Sequence, residues 1–441
     1  MPVLPLELVI LILRELCDMK DVLCTTSLVC RSWLPIARSL LFRHIRVQPL
    51  GIECQLVLGL CESPLETFSL ARAHELSIDS RHHTVIPPTP HPIDLNCLLN
   101  WQSSDGKRTL TSVLQDVNHL KLSGLRWWTL DCLAKQRMLD GFRSVTKLNL
   151  SRLLFDVFDT PTSNATDDFV ALLNSFPALE VLDIESIHLP LNSVQNEYRM
   201  VPSKLHTMHL TEVGGNSRVM ECLTPCPTLQ VLSFTCVRPR HWFSLTVEWA
   251  AAMAGIMCSA GESLRDFSLA IPPGHIDSQA SPAFDLFLEL FNLSIHPNLE
   301  YARICTDDPS FVLQFIERVV ASYNPYAGSS IRSLVIPSLA SFAGSGQLNY
   351  EHLDRLLQLP VFSKLQEIKF QVNGQVELMY TSEQRDGLSL FEYAMQRKIS
   401  EAMSLLPYCE KRGILRAEVV FWYVLCQFQV FHGTKSILAH T

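Results

Sequence analysis

The residues able to do chemistry in this chain are few and scattered. Cys222-x3-Cys226, with Cys236 and His241 following, is the nearest approach to a metal-ligand cluster, since thiolates and imidazoles at such spacing can close a tetrahedral zinc site. No CxxC pair accompanies it, and Cys226 precedes Pro227 and a strand-like run. Buried free thiols in a reducing compartment account for the group more simply, and no metal is assigned. The doublets Asp167-Asp168 and Asp307-Asp308 offer paired carboxylates for a cation or for acid–base work, but each stands before a helical pattern, where a carboxylate caps free N–H groups. His82-His83 lies in a polar stretch with no Cys or Glu at ligand spacing, which suits solvated imidazoles. There is no GxSxG elbow, Walker loop, GxGxxG after a strand or HExxH, and Ala343-Gly344-Ser345-Gly346 reads as a flexible turn. No catalytic residue and no cofactor is assigned; the reading is of a protein that is not an enzyme.

Composition points to folded structure throughout. Of 441 residues, 47% are hydrophobic and 18% charged, a balance that disfavours disorder and leaves room for more than one domain. The net charge of -8 is uneven: residues 1 to 50 hold six Lys/Arg against four Asp/Glu, so the remainder is strongly acidic. No basic stripe with aromatic platforms is present, so nucleic acid is not expected as a partner. The apolar N-terminal run contains Glu7 and lacks a positive leader, and Val419 to Phe431 is 13 residues long with two Gln, so neither a signal peptide nor a membrane span is expected. The 14 cysteines stand singly, and Asn164-Ala-Thr166 and Asn292-Leu-Ser294 match a glycosylation pattern by chance.

The elements come next. Pro5 suits a first helical turn and Glu7 the positive helix end, after which Leu8, Ile12 and Leu16 recur every four residues, thickened by Val9, Leu11 and Leu13. One flank of such a helix can serve a core and another a partner. Asp18 and Asp21 open a second helix with Val22, Leu23, Thr26 and Val29 on its apolar side; Trp33, Ala37 and Leu40 or Leu41 mark a third. Leu4-Pro5-Leu6-Glu7-Leu8, the Leu/Ile stripe, Val29-Cys30-Arg31-Ser32-Trp33 and Leu41-Phe42-Arg43, in that order, resemble an F-box. The resemblance covers about a tenth of the chain. It implies docking on the Skp-type adaptor of a cullin-RING ubiquitin ligase, with Leu4, Pro5, Leu8, Ile12, Leu16, Val29, Cys30 and Trp33 in contact with the adaptor or directly supporting that contact. A three-helix subdomain that merely packs on a larger core is the bland alternative.

Beyond it a string recurs: an apolar residue, two others, an apolar residue, one other, an apolar residue. Nine copies run from Val117-Leu120-Leu122, Val145-Leu148-Leu150 and Leu179-Leu182-Ile184 through Leu205-Met208-Leu210, Leu229-Leu232-Phe234 and Leu264-Phe267-Leu269 to Leu299-Ala302-Ile304, Ile331-Leu334-Ile336 and Leu365-Ile368-Phe370. Leu76-Ser77-Ile78 is a candidate tenth, and the period is 24 to 35 residues. The last two positions of each copy alternate as in a strand, while helical patterns such as Asp168 to Phe176 and Phe284 to Phe291 lie between copies. Several copies are entered through a proline, as in Phe176-Pro177-Ala178-Leu179. The body resembles an irregular leucine-rich-repeat solenoid, although the Asn or Cys that usually follows the strand is absent from most copies. An ordinary doubly wound sheet is the competing fold. The Pro-rich stretch Ile86 to Pro92, Asp156 to Asp168, Ile271 to Pro282 and Ser338 to Gly346 read as loops.

The fold class is therefore α/β: a small all-α three-helix F-box head over 1–48, a linker over 49–66, an irregular leucine-rich-repeat-like α/β solenoid over 67–412, and a capping strand or apolar tail over 413–441. Outward strand positions are where a solenoid recognises a partner, which nominates Lys147, Asn149, Asp183, His209, Tyr301 and Arg303 for target binding. The functional reading is a substrate-recognition adaptor of an SCF (Skp-cullin-F-box) ubiquitin ligase in cytoplasm, nucleus or both, with a Skp-type adaptor, a cullin and a protein target as partners and no membrane. The alternative is a leucine-rich-repeat scaffold whose F-box-like head caps the repeats or serves a partner outside a ligase.

Overall fold

A computed structural model describes residues 5–17, 19–48, 52–63, 73–80, 95–155, 165–187, 189, 201–211, 217–236, 246–271, 282–306, 309–326, 329–337, 349–373, 400, 404–422 and 432–435. The chain is a mixed α/β protein that divides into two compact units, Met1–Met208 with Cys222–Cys226, and His209–Glu221 with Pro227–Thr441.

In the first unit, helices α1 (Leu6–Glu15), α2 (Lys20–Thr26) and α3 (Leu34–Leu41) come before the first strand, β1 (His44–Val47). Then follow β2 (Glu75–Asp79), β3 (His119–Ser123), β4 (Lys147–Ser151) and β5 (Val181–Glu185), each paired in parallel with the one before it. Residues 49–66, read as a linker, carry a helix, α4 (Ile52–Glu62), which packs on β1. The nominated tenth triplet lies on β2, and β1 adds a strand within the stretch assigned to the all-α head. Strand β6 (Thr207–Thr211) straddles the division between units.

The second unit repeats the arrangement. Strands β7 (Val231–Thr235), β8 (Asp266–Ala270), β9 (Tyr301–Cys305), β10 (Ser333–Pro337), β11 (Glu367–Asn373) and β12 (Leu415–Trp422) run parallel in chain order, and β13 (His432–Lys435) closes antiparallel on β12. Helices stand between the strands, among them Ala165–Asn174 in the first unit and Val247–Ala260, Pro282–Leu290 and Pro309–Ala321 in the second. Each unit thus has the strand-then-helix order of a parallel α/β solenoid. Before β12 the second unit also holds the short helix Pro407–Lys411.

The core follows the triplets. Their described side chains are all buried, with Val117, Leu120, Leu122, Val145, Leu148 and Leu150 fully so. Burying each side chain of this size contributes about 1.5–3 kcal/mol relative to exposure, so repeats that cannot close a core alone are held by stacking. Aromatic side chains fill the space under the helices: Phe287 and Phe291 pack on Phe267, and Phe155 bridges Trp127 and Phe169. One carbonyl per repeat also accepts two N–H groups of the next repeat at the strand entrance. The Asn118 oxygen takes Thr146 and Lys147, the Thr146 oxygen takes Glu180 and Val181, and in the second unit the Arg265 oxygen takes Glu300 and Tyr301.

Candidate functional site

The head divides its apolar residues between inside and outside. Val9, Leu13 and Leu23 are buried together, with Leu16, Trp33, Ile36, Leu40 and Leu41 packed against them. Leu16 and Trp33 therefore face the head's own core. On the other flank of α1, Leu8, Leu11 and Ile12 are exposed; their spacing of three and four residues places them on one helical face. Met19 and Val22 are exposed as well, and Leu28 and Val29 are 84% and 61% exposed. Pro5 occupies the exposed N-cap position of α1, and Leu4 lies outside the described residues. Cys30 is exposed with its sulfur 3.0 Å from the Ser32 hydroxyl, and that hydrogen bond holds the thiol below its usual value. Exposed apolar side chains that share one helical face, as Leu8, Leu11 and Ile12 do, are a common mark of an interaction face.

The outward face of β1 to β5 is polar and laddered with ion pairs. Parallel register lines up His44, Glu75, His119 and Lys147 in one row and Arg46, Ser77, Lys121, Asn149 and Asp183 in the next. The Glu75 carboxylate lies 2.7 Å from Lys121 Nζ, 3.1 Å from His44 Nδ1 and 3.2 Å from His119 Nδ1. Burial pushes this carboxyl up, but the Lys121 hydrogen bond and the surrounding positive groups outweigh it and leave it below the usual range. Arg46 reaches Asp79 at 3.0 Å, Lys147 reaches Asp183 at 3.6 Å, and Ser151 donates to Glu185 at 2.8 Å. Lys147, Asn149 and Asp183 thus share one face.

In the second unit Tyr301 and Arg303 share β9, in register with Asp266 and Ser268 of β8. Burial pushes the Asp266 carboxyl up to about 6, with the Arg303 charge pulling partly back. Ser333 donates to Glu367 at 2.7 Å, and Lys369 lies 3.0 Å from the same carboxylate. Val335, on β10 in register with both Arg303 and Lys369, is fully buried. His209 stands half-exposed on β6.

No protein-family model and no curated protein matches this sequence. Among solved structures, a crystal structure of a protein from Bacteroides fragilis is similar at 15% identity with a TM-score of 0.30, over 58% of this chain and 64% of that one. A likeness so distant carries no functional argument.

Cys222 and Cys226 are buried and Cys236 partly so, burial pushing the Cys226 thiol up to about 11; His241 lies outside the described residues. Among the described residues no three His, Cys, Asp or Glu side chains stand together as metal ligands. Asp167 and Asp168 sit in the first turn of the helix Ala165–Asn174, and Asp168 pairs with Lys135 at 2.9 Å. His82, His83, Asp307, Asp308 and residues 343–346 lie outside the described residues. No helix among those described is long and apolar enough to cross a membrane.

Proposed function

We propose that this protein is a non-enzymatic substrate-recognition subunit of an SCF ubiquitin ligase: an F-box head docks a Skp-type adaptor, and through it a cullin, while a leucine-rich-repeat body holds a protein target. The supporting observation is the exposed row Leu8, Leu11 and Ile12 on α1, set opposite the buried Val9 and Leu13 of the same helix. A helix that only capped a larger core would turn its whole apolar width inward. In this reading the chain works by proximity, since holding an acceptor lysine near a ubiquitin-charged enzyme raises its effective concentration without a catalytic group here. The work is done in the cytoplasm, the nucleus or both.

Co-purification of the full chain with a Skp-type adaptor and a cullin tests the proposal. Wild type should capture both, and Leu8→Asp with Ile12→Asp should capture neither while keeping the wild-type melting temperature. Failure of folded wild type to capture the adaptor sinks the ligase reading and leaves the scaffold.

A further inference from the structure

At three ion pairs on the outer face of β1 to β5 the two signs of charge lie at different depths. The carboxylates form the floor: Asp79 is 3% exposed, Glu75 18% and Asp183 21%. Above them the side chains of Arg46, Lys147 and Lys121 are 55%, 44% and 38% exposed. Arg152, which follows β4, is 41% exposed and lies 3.8 Å from Glu185, which at 39% stands level with it. Over Glu75, Asp79 and Asp183 a visitor meets cations first, each already oriented by a carboxylate, while Arg152 and Glu185 present both signs at one level. A lysine ammonium has three donors and a guanidinium five, so one ion pair leaves most of them for a partner. Ser77 and Asn149, in the row between Arg46 and Asp183, add neutral polar groups at the same level.

We propose that this face binds an extended acidic segment of a protein, its Asp and Glu carboxylates received by Arg46, Lys121, Lys147 and Arg152. The inference rests on the reading of the strand face as the target-binding surface, and it names the chemistry of the target. The cations are spread over several strands rather than converged on one point: Arg46 and Lys121 stand two strands apart, about 10 Å at the usual strand spacing. That geometry suits carboxylates distributed along a chain. A single phosphate needs donors gathered around one centre.

Fluorescence anisotropy on the full chain, with a labelled peptide alternating Glu and Ser, tests the idea, with a Lys-Ser peptide, a singly phosphorylated Ser-Gly peptide and a single-stranded oligonucleotide as comparison probes. The Glu-Ser peptide should bind, and more weakly at high salt, where exposed charges are screened. Lys147→Ala with Arg152→Gly should weaken binding by about tenfold, the loss expected when two exposed charge contacts go. The glycine is suited to the backbone there, since Arg152 has a φ of 54°. Asp183→Asn should tighten binding, because it removes a floor carboxylate; a purely structural role would move both variants the same way. Absence of Glu-Ser binding, tighter binding of the phosphorylated peptide or the oligonucleotide, or indifference to both variants overturns the proposal. Adaptor capture is measured in the same preparations: capture without peptide binding sinks this inference alone, and peptide binding without capture sinks only the ligase reading.

Discussion

The Asp354 carboxylate stands at the start of the helix Pro407–Lys411, accepting the backbone N–H of Tyr408 at 2.9 Å and of Cys409 at 3.2 Å. Asp354 is buried, so this one side chain satisfies two helix-end donors from a segment more than fifty positions away. Asp354→Ala should cost about 2–4 kcal/mol, because it strands buried donors, and Asp354→Asn, which can still accept one of the two bonds, should cost less. Urea denaturation checks the order. Equal midpoints for the alanine variant and wild type would contradict the contact.

The cysteines should separate cleanly toward an alkylating reagent. Burial, with the Asp354 hydrogen bond and charge adding to it, pushes the Cys409 thiol up to about 12, and burial pushes Cys61 up to about 12. Cys30 is exposed and its thiolate is favoured by Ser32. Since the thiolate is the nucleophile, iodoacetamide at mildly alkaline pH should label Cys30 early and leave Cys409 and Cys61 untouched until the protein unfolds. Peptide mass spectrometry over time reads this directly.

Neighbouring positions on α1 should respond very unequally to truncation. Leu13→Ala removes a fully buried side chain and should cost about 2–5 kcal/mol, whereas Ile12→Ala, on the exposed flank, should change stability by no more than about 0.5 kcal/mol. Thermal melts of the two variants settle it.

Asp266 gives a pH dependence whose sign is fixed. Its folded pKa of about 6 lies above the usual 3.8, so the folded state holds the proton more tightly than the unfolded one. The stability this contributes is complete below the unfolded value and is lost as pH rises through about 6. Asp266→Asn, which keeps the shape without the charge, should therefore become progressively more stable relative to wild type as pH rises through that window. Denaturation midpoints of both proteins across a pH series provide the measurement, and a constant difference would rule the effect out.

The strands were legible because alternation is a local property: Leu120 and Leu122, or Leu148 and Leu150, announce their face within one segment. The helix Ala165–Asn174 was legible in the same way, through its acidic start. Helix α4 was not, because Cys54, Leu56, Val57, Leu58, Leu60 and Cys61 surround the helix without leaving a clear polar face. Strand β1 was hidden by its length, with only Ile45 and Val47 pointing inward. On the head, spacing alone did not divide Leu8 and Ile12 from Leu16, since all three share one stripe and only packing turns Leu16 to the core. The ring of His44, His119 and Lys121 around Glu75 depends on the register between repeats of unequal length, which no local pattern encodes.

Because successive strands within each unit pair in chain order, and one carbonyl of each repeat receives the entrance of the next, each described strand after the first of its unit finds its template in chain that has already been made. The polypeptide leaving the ribosome can therefore add one layer at a time, each new strand docking on a finished edge without waiting for residues still to be synthesised.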